Sequence, residues 1–312
     1  MRHTLPAFEF RRRARAAMKP VMPILLVVAL IAALPSLIQS AVTLMTNASP
    51  DVLITNFSNR LMQVMENPSL SEAQMTEAIT AATDAYYVEA LTFAKEKGPL
   101  IVAMALVVAL ISPMLSLGMI NAMLHALRKQ NFTPAIAVSR VRYLLKALGL
   151  GLLVGLKTLL WTLPGMALML SSLFLPEELS AFVMIAGMIL SLVLGIMAGY
   201  RYALANFVMA DVPATRIRGC IRRSCEVMKG RKMELFSLEI SFLGWSLLLT
   251  FVQSMLLEML GSVVGMALGL FASLFLTVYT SCAQAAFYQE YAVGPLEDPE
   301  APDAAENPAV EA

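Results

Sequence analysis

Charge is scarce in this chain. Only 14% of its 312 residues are Asp, Glu, Lys or Arg, where a soluble globular protein carries about 25%. Ordinary cytosolic enzymes and disordered proteins are excluded on that ground. Cysteine and histidine are nearly missing, at three and two, which excludes a disulfide-stapled secreted domain. His3 and His125 are too few and too separated to build a zinc site. Cys220, Cys225 and Cys282 are odd in number and fall at the basic ends of apolar runs, where thiols stay reduced. No His-Glu-x-x-His, no Gly-x-Ser-x-Gly and no pair of carboxylates within an apolar run is present. Gly155-Leu156-Lys157-Thr158 lacks both the preceding strand and the glycine directly before lysine that a phosphate loop requires. The expectation is a non-enzyme without metal or cofactor, and no motif points to nucleic acid.

What the chain has is apolar length. It is 58% hydrophobic, with a mean hydropathy of +0.71. A bilayer core of about 30 Å needs about 20 apolar residues per helix, and six runs qualify: 21–43, 99–124, 151–175, 181–208, 235–260 and 262–288. The first run exceeds a signal-peptide core and is followed by no clear cleavage site, so it reads as an anchor. The 22 methionines scatter around the helices as flexible apolar filler. The fold class is all-α, a polytopic membrane protein with six spans.

The flanking charges orient the spans. Arg2, Arg11, Arg12, Arg13, Arg15 and Lys19 precede the first. Arg128, Lys129, Arg140, Arg142 and Lys146 separate the second from the third. Arg216, Arg218, Arg222, Arg223, Lys229, Arg231 and Lys232 separate the fourth from the fifth. The alternate connections are acidic: residues 46–98 carry Asp51, Glu66, Glu72, Glu77, Asp84, Glu89 and Glu96, and Glu177-Glu178 and Glu258 mark the other two turns. Basic loops stay on the cytoplasmic side, so both termini are expected inside a cell membrane. Anionic lipid headgroups are expected against the inner cations Arg216, Arg218, Arg222, Arg223 and Lys229, because each juxtamembrane cation gains about 1 kcal/mol there.

Three domains follow: a basic interfacial helix at 1–20, a membrane domain at 21–293, and an acidic tail at 294–312. The tail has four prolines and six acids without a base, a composition that stays disordered. Within the membrane domain, residues 46–98 read as an outer helical hairpin. Asp51 starts one helix with Leu53, Phe57, Leu61, Val64 and Met65 on a face, and Ser69-x-x-Glu72 boxes the next, which Gly98-Pro99 stops. Thr133-Pro134 and Asp211-Val212-Pro213 read as starts of basic amphipathic helices at 134–148 and 213–228. With the N-terminal helix they suggest three pseudo-repeated hairpins, each led by a basic interfacial helix.

Small residues recur every fourth position in two spans: Gly187, Ser191, Gly195 and Gly199, then Gly261, Gly265, Gly269 and Ser273. Such grooves let helix backbones approach closely, within the chain or across a homo-oligomer seam. Pro113 and Pro164-Gly165 are expected to kink the second and third spans. Lys157, Arg201 and Glu239 lie at similar distances from the inner ends of their helices, with Asn121 and Asn206 able to join them. Two readings stay open: a buried polar site with room for an anionic ligand, or an interfacial ring whose long side chains snorkel beside Trp161 and Trp245.

A longer pattern lies at 200–245: Tyr200-Arg201-Tyr202, Phe207-Val208-Met209-Ala210-Asp211-Val212-Pro213, Ser224, Met228-Lys229-Gly230-Arg231-Lys232, and Leu235-Phe236-Ser237-Leu238-Glu239-Ile240-Ser241-Phe242-Leu243-Gly244-Trp245. With Ala286-Phe287-Tyr288 and the Ala-Arg-Ala-Ala-Met-Lys run at 14–19, it resembles a bacterial membrane-protein family known as domain of unknown function 975. Val278-Tyr279 departs from the Pro-Tyr such proteins tend to have. The resemblance implies a six-span bacterial inner-membrane protein and brings no activity. An accessory, scaffolding or envelope-homeostasis role with a membrane-protein partner is the first expectation. A small-solute or lipid transporter is the alternative.

Overall fold

The computed structural model describes residues 5–46, 51–67, 71–260 and 262–294. Those residues are helical, without a strand, and six of the helices are long and apolar enough to cross a membrane. Spanning segments must satisfy every backbone group internally, and a helix does so one residue at a time. Gly261 and the tail from 295 onward lie outside the described residues, as does Ser69 of the expected capping box.

The chain divides into two compact units, Met1–Ala32 with Pro113–Ala312, and Ala33–Ser112. In the smaller one, α3 (Asp51–Met65) lies against the first half of α4 (Glu72–Leu127). Phe57 meets Tyr86 with ring centroids 5.0 Å apart, and Arg60 pairs with Glu89 at 2.5 Å. The box that opens α4 sits two residues later than expected. Ser71 N–H donates to Gln74 Oε1 at 3.0 Å and Gln74 N–H to Ser71 Oγ at 3.4 Å. Gly98-Pro99 does not stop the helix, which runs unbroken to Leu127. Proline removes one hydrogen bond, and the apolar residues that follow have no other way to satisfy their backbone in lipid.

The larger unit is built around α10 (Ser262–Tyr288), whose inner end is enclosed: Val278, Cys282, Ala283, Ala285, Ala286 and Phe287 have no exposure. Around it stand α1 (Ala7–Met18), the start of α2 (Met22–Met45), the end of α4, α7 (Ala205–Asp211) and α9 (Lys232–Leu260). α1 buries Phe10, Ala14 and Met18 at four-residue spacing, and α8 (Ile217–Val227) buries Cys220, Ile221, Ser224 and Val227. Both are therefore amphipathic, as their sequences suggest. The segment expected to match them does not. Residues 134–148 form two 3-10 turns, Pro134–Val138 and Val141–Tyr143, before α5 (Leu144–Ser171) begins. Ala137 tucks against Gly118 so closely that a Cβ there would lie 1.9 Å from the Ala137 carbonyl oxygen. β-Branched Ile136, Val138 and Val141 add little helical preference to oppose this. Two helices and a pair of turns therefore stand where three similar helices were expected.

Asp211-Val212-Pro213 ends a helix rather than starting one. Asp211 closes α7, Val212 is at φ −120°, ψ 78°, and α8 starts at Ile217. A residue before proline is pushed out of the α region, and that restriction acts on Val212. The fourth span, Leu179–Asp211, is interrupted: α6 (Glu177–Tyr202) breaks at Ala203-Leu204 before α7 begins. The fully buried Ser224 fills the break, with its Oγ donating to the Arg201 carbonyl at 3.1 Å and accepting from Leu204 N–H at 3.2 Å. Ser224→Ala leaves both groups unsatisfied. It is expected to destabilise the protein by about 1–3 kcal/mol, read as a lowered midpoint in detergent unfolding, with Ser224→Thr closer to wild type.

Candidate functional site

The structure gives the four polar residues singled out in the spans the following surroundings. Glu239 accepts from Tyr200 Oη at 2.5 Å and from Gln284 Nε2 at 3.1 Å. Arg201 is exposed, donates from Nε to Cys225 Sγ at 3.4 Å, and lies 5.8 Å from the Trp161 ring. Asn121 is buried and belongs to another group: its Oδ1 accepts from Arg140 Nη2 at 3.0 Å and its Nδ2 donates to Ser139 Oγ at 3.4 Å. Lys157 is half-buried, and among the described residues it has no hydrogen bond or ion pair. Asn206 is exposed. No direct bond joins any two of Lys157, Arg201, Glu239 and Asn121 among the described residues.

The polar chemistry of the larger unit gathers instead at the inner helix ends. Tyr291 stands at one centre. It accepts from Leu5 N–H at 3.1 Å, donates to Glu234 Oε2 at 2.6 Å, and carries the Arg231 guanidinium 4.2 Å above its ring. Phe10 packs on Phe287 at 5.3 Å and on Tyr291 at 5.9 Å. Arg13 bridges two acids, Glu290 at 2.7 Å and Glu9 at 3.3 Å, with side chains only 10–13% exposed.

Asp211 is the second centre. One oxygen takes Arg128 Nη1 at 2.7 Å and the other takes Tyr288 Oη at 3.1 Å, while Arg128 Nε reaches Gln289 at 3.0 Å. The hydrogen bond that Arg128 donates to Asp211 raises its pKa above the ordinary value. Beside it, Arg140 Nη2 donates to the Ala210 carbonyl at 2.8 Å, and Lys146 donates to the Pro213 carbonyl. Every basic connection is thus tied to the end of a span. Charge-assisted bonds of this kind are about twice as strong as neutral ones, so the layer works chemically as a clamp.

Sequence reasoning missed Tyr291, Glu234, Glu290 and Glu9 because it used the inner charges only to orient the spans. Their signal was present: they are acids and an aromatic on a face where cations dominate, and an acid placed there needs a cation beside it. The three thiols are free, and burial pushes the Cys220 pKa up. Among the described residues no group of three His, Cys, Asp or Glu is placed to hold a metal ion.

Part of each small-residue stripe packs within the chain. A Cβ on Gly165 of α5 would meet Ser191 Oγ at 2.3 Å, Ser191 N at 2.4 Å and the Gly187 carbonyl at 2.8 Å. Gly187 is matched in turn by Met169, and Gly195 makes only ordinary contact with Thr162 at 3.4 Å, while Gly199 faces open space. Gly265 is buried, and Gly269 abuts Gln253 of α9. The cations of α8 face outward: Arg216, Arg218, Arg222, Arg223 and Lys229 are all exposed, with Arg223 also donating to the Ala292 carbonyl at 2.9 Å.

A family model described as Protein of unknown function (DUF975) matches residues 69–292. No curated protein and no solved structure matches the chain.

Proposed function

The chain belongs to the DUF975 family of proteins of unknown function, and from that premise we propose a non-enzymatic integral membrane protein that acts by association. Its role is accessory or scaffolding, in envelope homeostasis, in a bacterial cytoplasmic membrane with both termini inside. The observation that carries this reading is the exposed apolar surface of the α3–α4 pair. Val52, Ile54, Met62 and Met65 on α3, with Tyr87, Val88 and Leu91 on α4, are all more than half exposed on helices rich in Asp, Glu, Asn and Thr. α3 and the first half of α4 are too polar to be lipid-embedded, and exposed apolar clusters rimmed by polar residues mark protein contacts. The orientation rests on the basic connections, and the outward cations of α8 suit anionic headgroups.

The test is extraction from native membranes into detergent-free lipid discs, followed by mass spectrometry of everything retained. A stoichiometric protein partner is expected, lost when Val52, Ile54, Met62 and Met65 are changed to Ser. Retention of no partner by the wild type, or retention that ignores those changes, counts against the reading.

One observation favours transport instead. Lys157 is half-buried in α5 without a partner among the described residues, as a side chain lining a solute path would be. Under that reading Lys157→Gln changes solute flux in vesicles with folding intact. Under the accessory reading it changes nothing beyond a small shift in stability.

A further inference from the structure

A half-open groove of about 530 Å³ lies where α1 and the start of α2 meet α9 and α10. Three cations form one wall, Arg11, Arg15 and Lys19, each four residues after the last. That spacing stacks them along one helix face about 6 Å apart. The other walls are apolar: Met18, Trp245, Phe275 and Tyr279. Among the described residues no acid lines the groove.

The two faces of α1 differ in how their charges are met. Arg12 and Arg13 are neutralised by Glu9 and Glu290. Among the described residues Arg11, Arg15 and Lys19 have no ion pair, and Arg11 Nε is shut away from solvent without an acceptor. A buried donor without an acceptor is costly, and three like charges along one face repel. An anion in the groove relieves both.

The level of the groove identifies what carries that anion. Outward along α9 and α10, Leu247, Leu248, Phe251 and Phe271 are exposed, as lipid-facing side chains are. Inward from Tyr279, the surface of α10 is enclosed. Trp245 and Tyr279 stand at the junction, and tryptophan and tyrosine favour the headgroup boundary. We propose that this groove binds one anionic phospholipid, its phosphate against Arg11, Arg15 and Lys19 and its chains leaving past Trp245 and Phe275. The volume falls in the range of small-molecule sites and suits a headgroup with the first methylenes of its chains. The site goes beyond the accessory role and stands or fails independently of it.

The full chain in detergent is titrated with phosphatidylglycerol and followed by native mass spectrometry. One phosphatidylglycerol is expected to bind per chain, with phosphatidylcholine binding far more weakly. Arg11→Gln/Arg15→Gln is expected to weaken binding about thirtyfold, at about fivefold per cation. Lys129→Gln/Arg142→Gln removes the same charge from exposed positions away from the groove and is expected to leave it unchanged. Equal losses in both variants reduce the effect to diffuse surface charge and overturn the site, as does no loss in the first. Displacement by inorganic phosphate at matched concentration overturns the lipid as occupant. If the α1 variant loses its lipid-free unfolding midpoint, Trp245→Ala is read instead, since it touches the apolar wall alone. It is then expected to weaken phosphatidylglycerol too, and wild-type affinity there counts against the proposal.

Discussion

Gly165→Leu is expected to part α5 from α6 and to leave little folded protein in detergent. The Cβ of any side chain at 165 falls 2.3 Å from Ser191 Oγ, 2.4 Å from Ser191 N and 2.8 Å from the Gly187 carbonyl. Two of those atoms are backbone, so no rotamer change relieves the clash and the helices must separate. Overpacking commonly costs about 1–3 kcal/mol, and a backbone clash at a lipid-exposed helix pair belongs at or above the top of that range. Close approach is also what holds such helices together, since lipid offers apolar side chains as good a solvent as protein does. Gly165→Ala should show the same defect in weaker form. Gly199→Leu, where an added Cβ meets nothing within 4 Å, is the control and should unfold in SDS-containing mixed micelles as the wild type does. Equal damage at 165 and 199 would mean that general disturbance of the helices, and not their packing, is being measured.

The second large effect is expected at Arg13. Its guanidinium sits between Glu290 at 2.7 Å and Glu9 at 3.3 Å, all three side chains nearly enclosed. Removing one member of a buried pair leaves uncompensated charge and costs about 3–5 kcal/mol. Arg13→Ala leaves Glu290 without its cation, while Glu9 keeps Arg12 at 2.9 Å. The sign of the rescue separates this explanation from lost packing: Arg13→Ala with Glu290→Gln should recover part of the stability, whereas adding Glu9→Gln, which takes the acid from Arg12, should recover no more. Unfolding midpoints and protease cleavage within residues 5–19 read both effects. If Glu290→Gln brings nothing back, that carboxylate is not what destabilises the single variant.

The number of spans could be read from sequence because about twenty apolar residues in lipid have one backbone solution, although the second helix starts at Glu72, well before the expected 99. The outer face of α3 was equally legible from its 3–4 spacing, and Leu53, Phe57, Leu61 and Val64 are indeed its half-buried positions, though Met65 is exposed. What escaped depends on partners distant in the chain. Thr133-Pro134 does start a turn, but the fate of 134–143 is decided by Gly118 and Asn121 on another helix. Asp211 looked like a cap because aspartate before a proline often is one. Its actual partners are Arg128 and Tyr288, 83 and 77 residues away. Depth along a helix grouped Lys157, Arg201, Glu239 and Asn121, yet depth says nothing about azimuth: Glu239 meets Tyr200 and Gln284, Arg201 meets Cys225, and Asn121 meets Arg140.

The enclosure of α10 sets an order of events in synthesis. Arg13 and Glu290 are 277 residues apart, so at about 5–20 residues per second the ribosome needs roughly 15–55 s to supply the partner. Through that interval Phe10, Ala14 and Met18 lack the cover that α10 gives them. The nascent amphipathic segment must rest on the bilayer or on a chaperone until the last span arrives, and chains stalled before Phe287 keep that segment open to proteases that finished molecules deny.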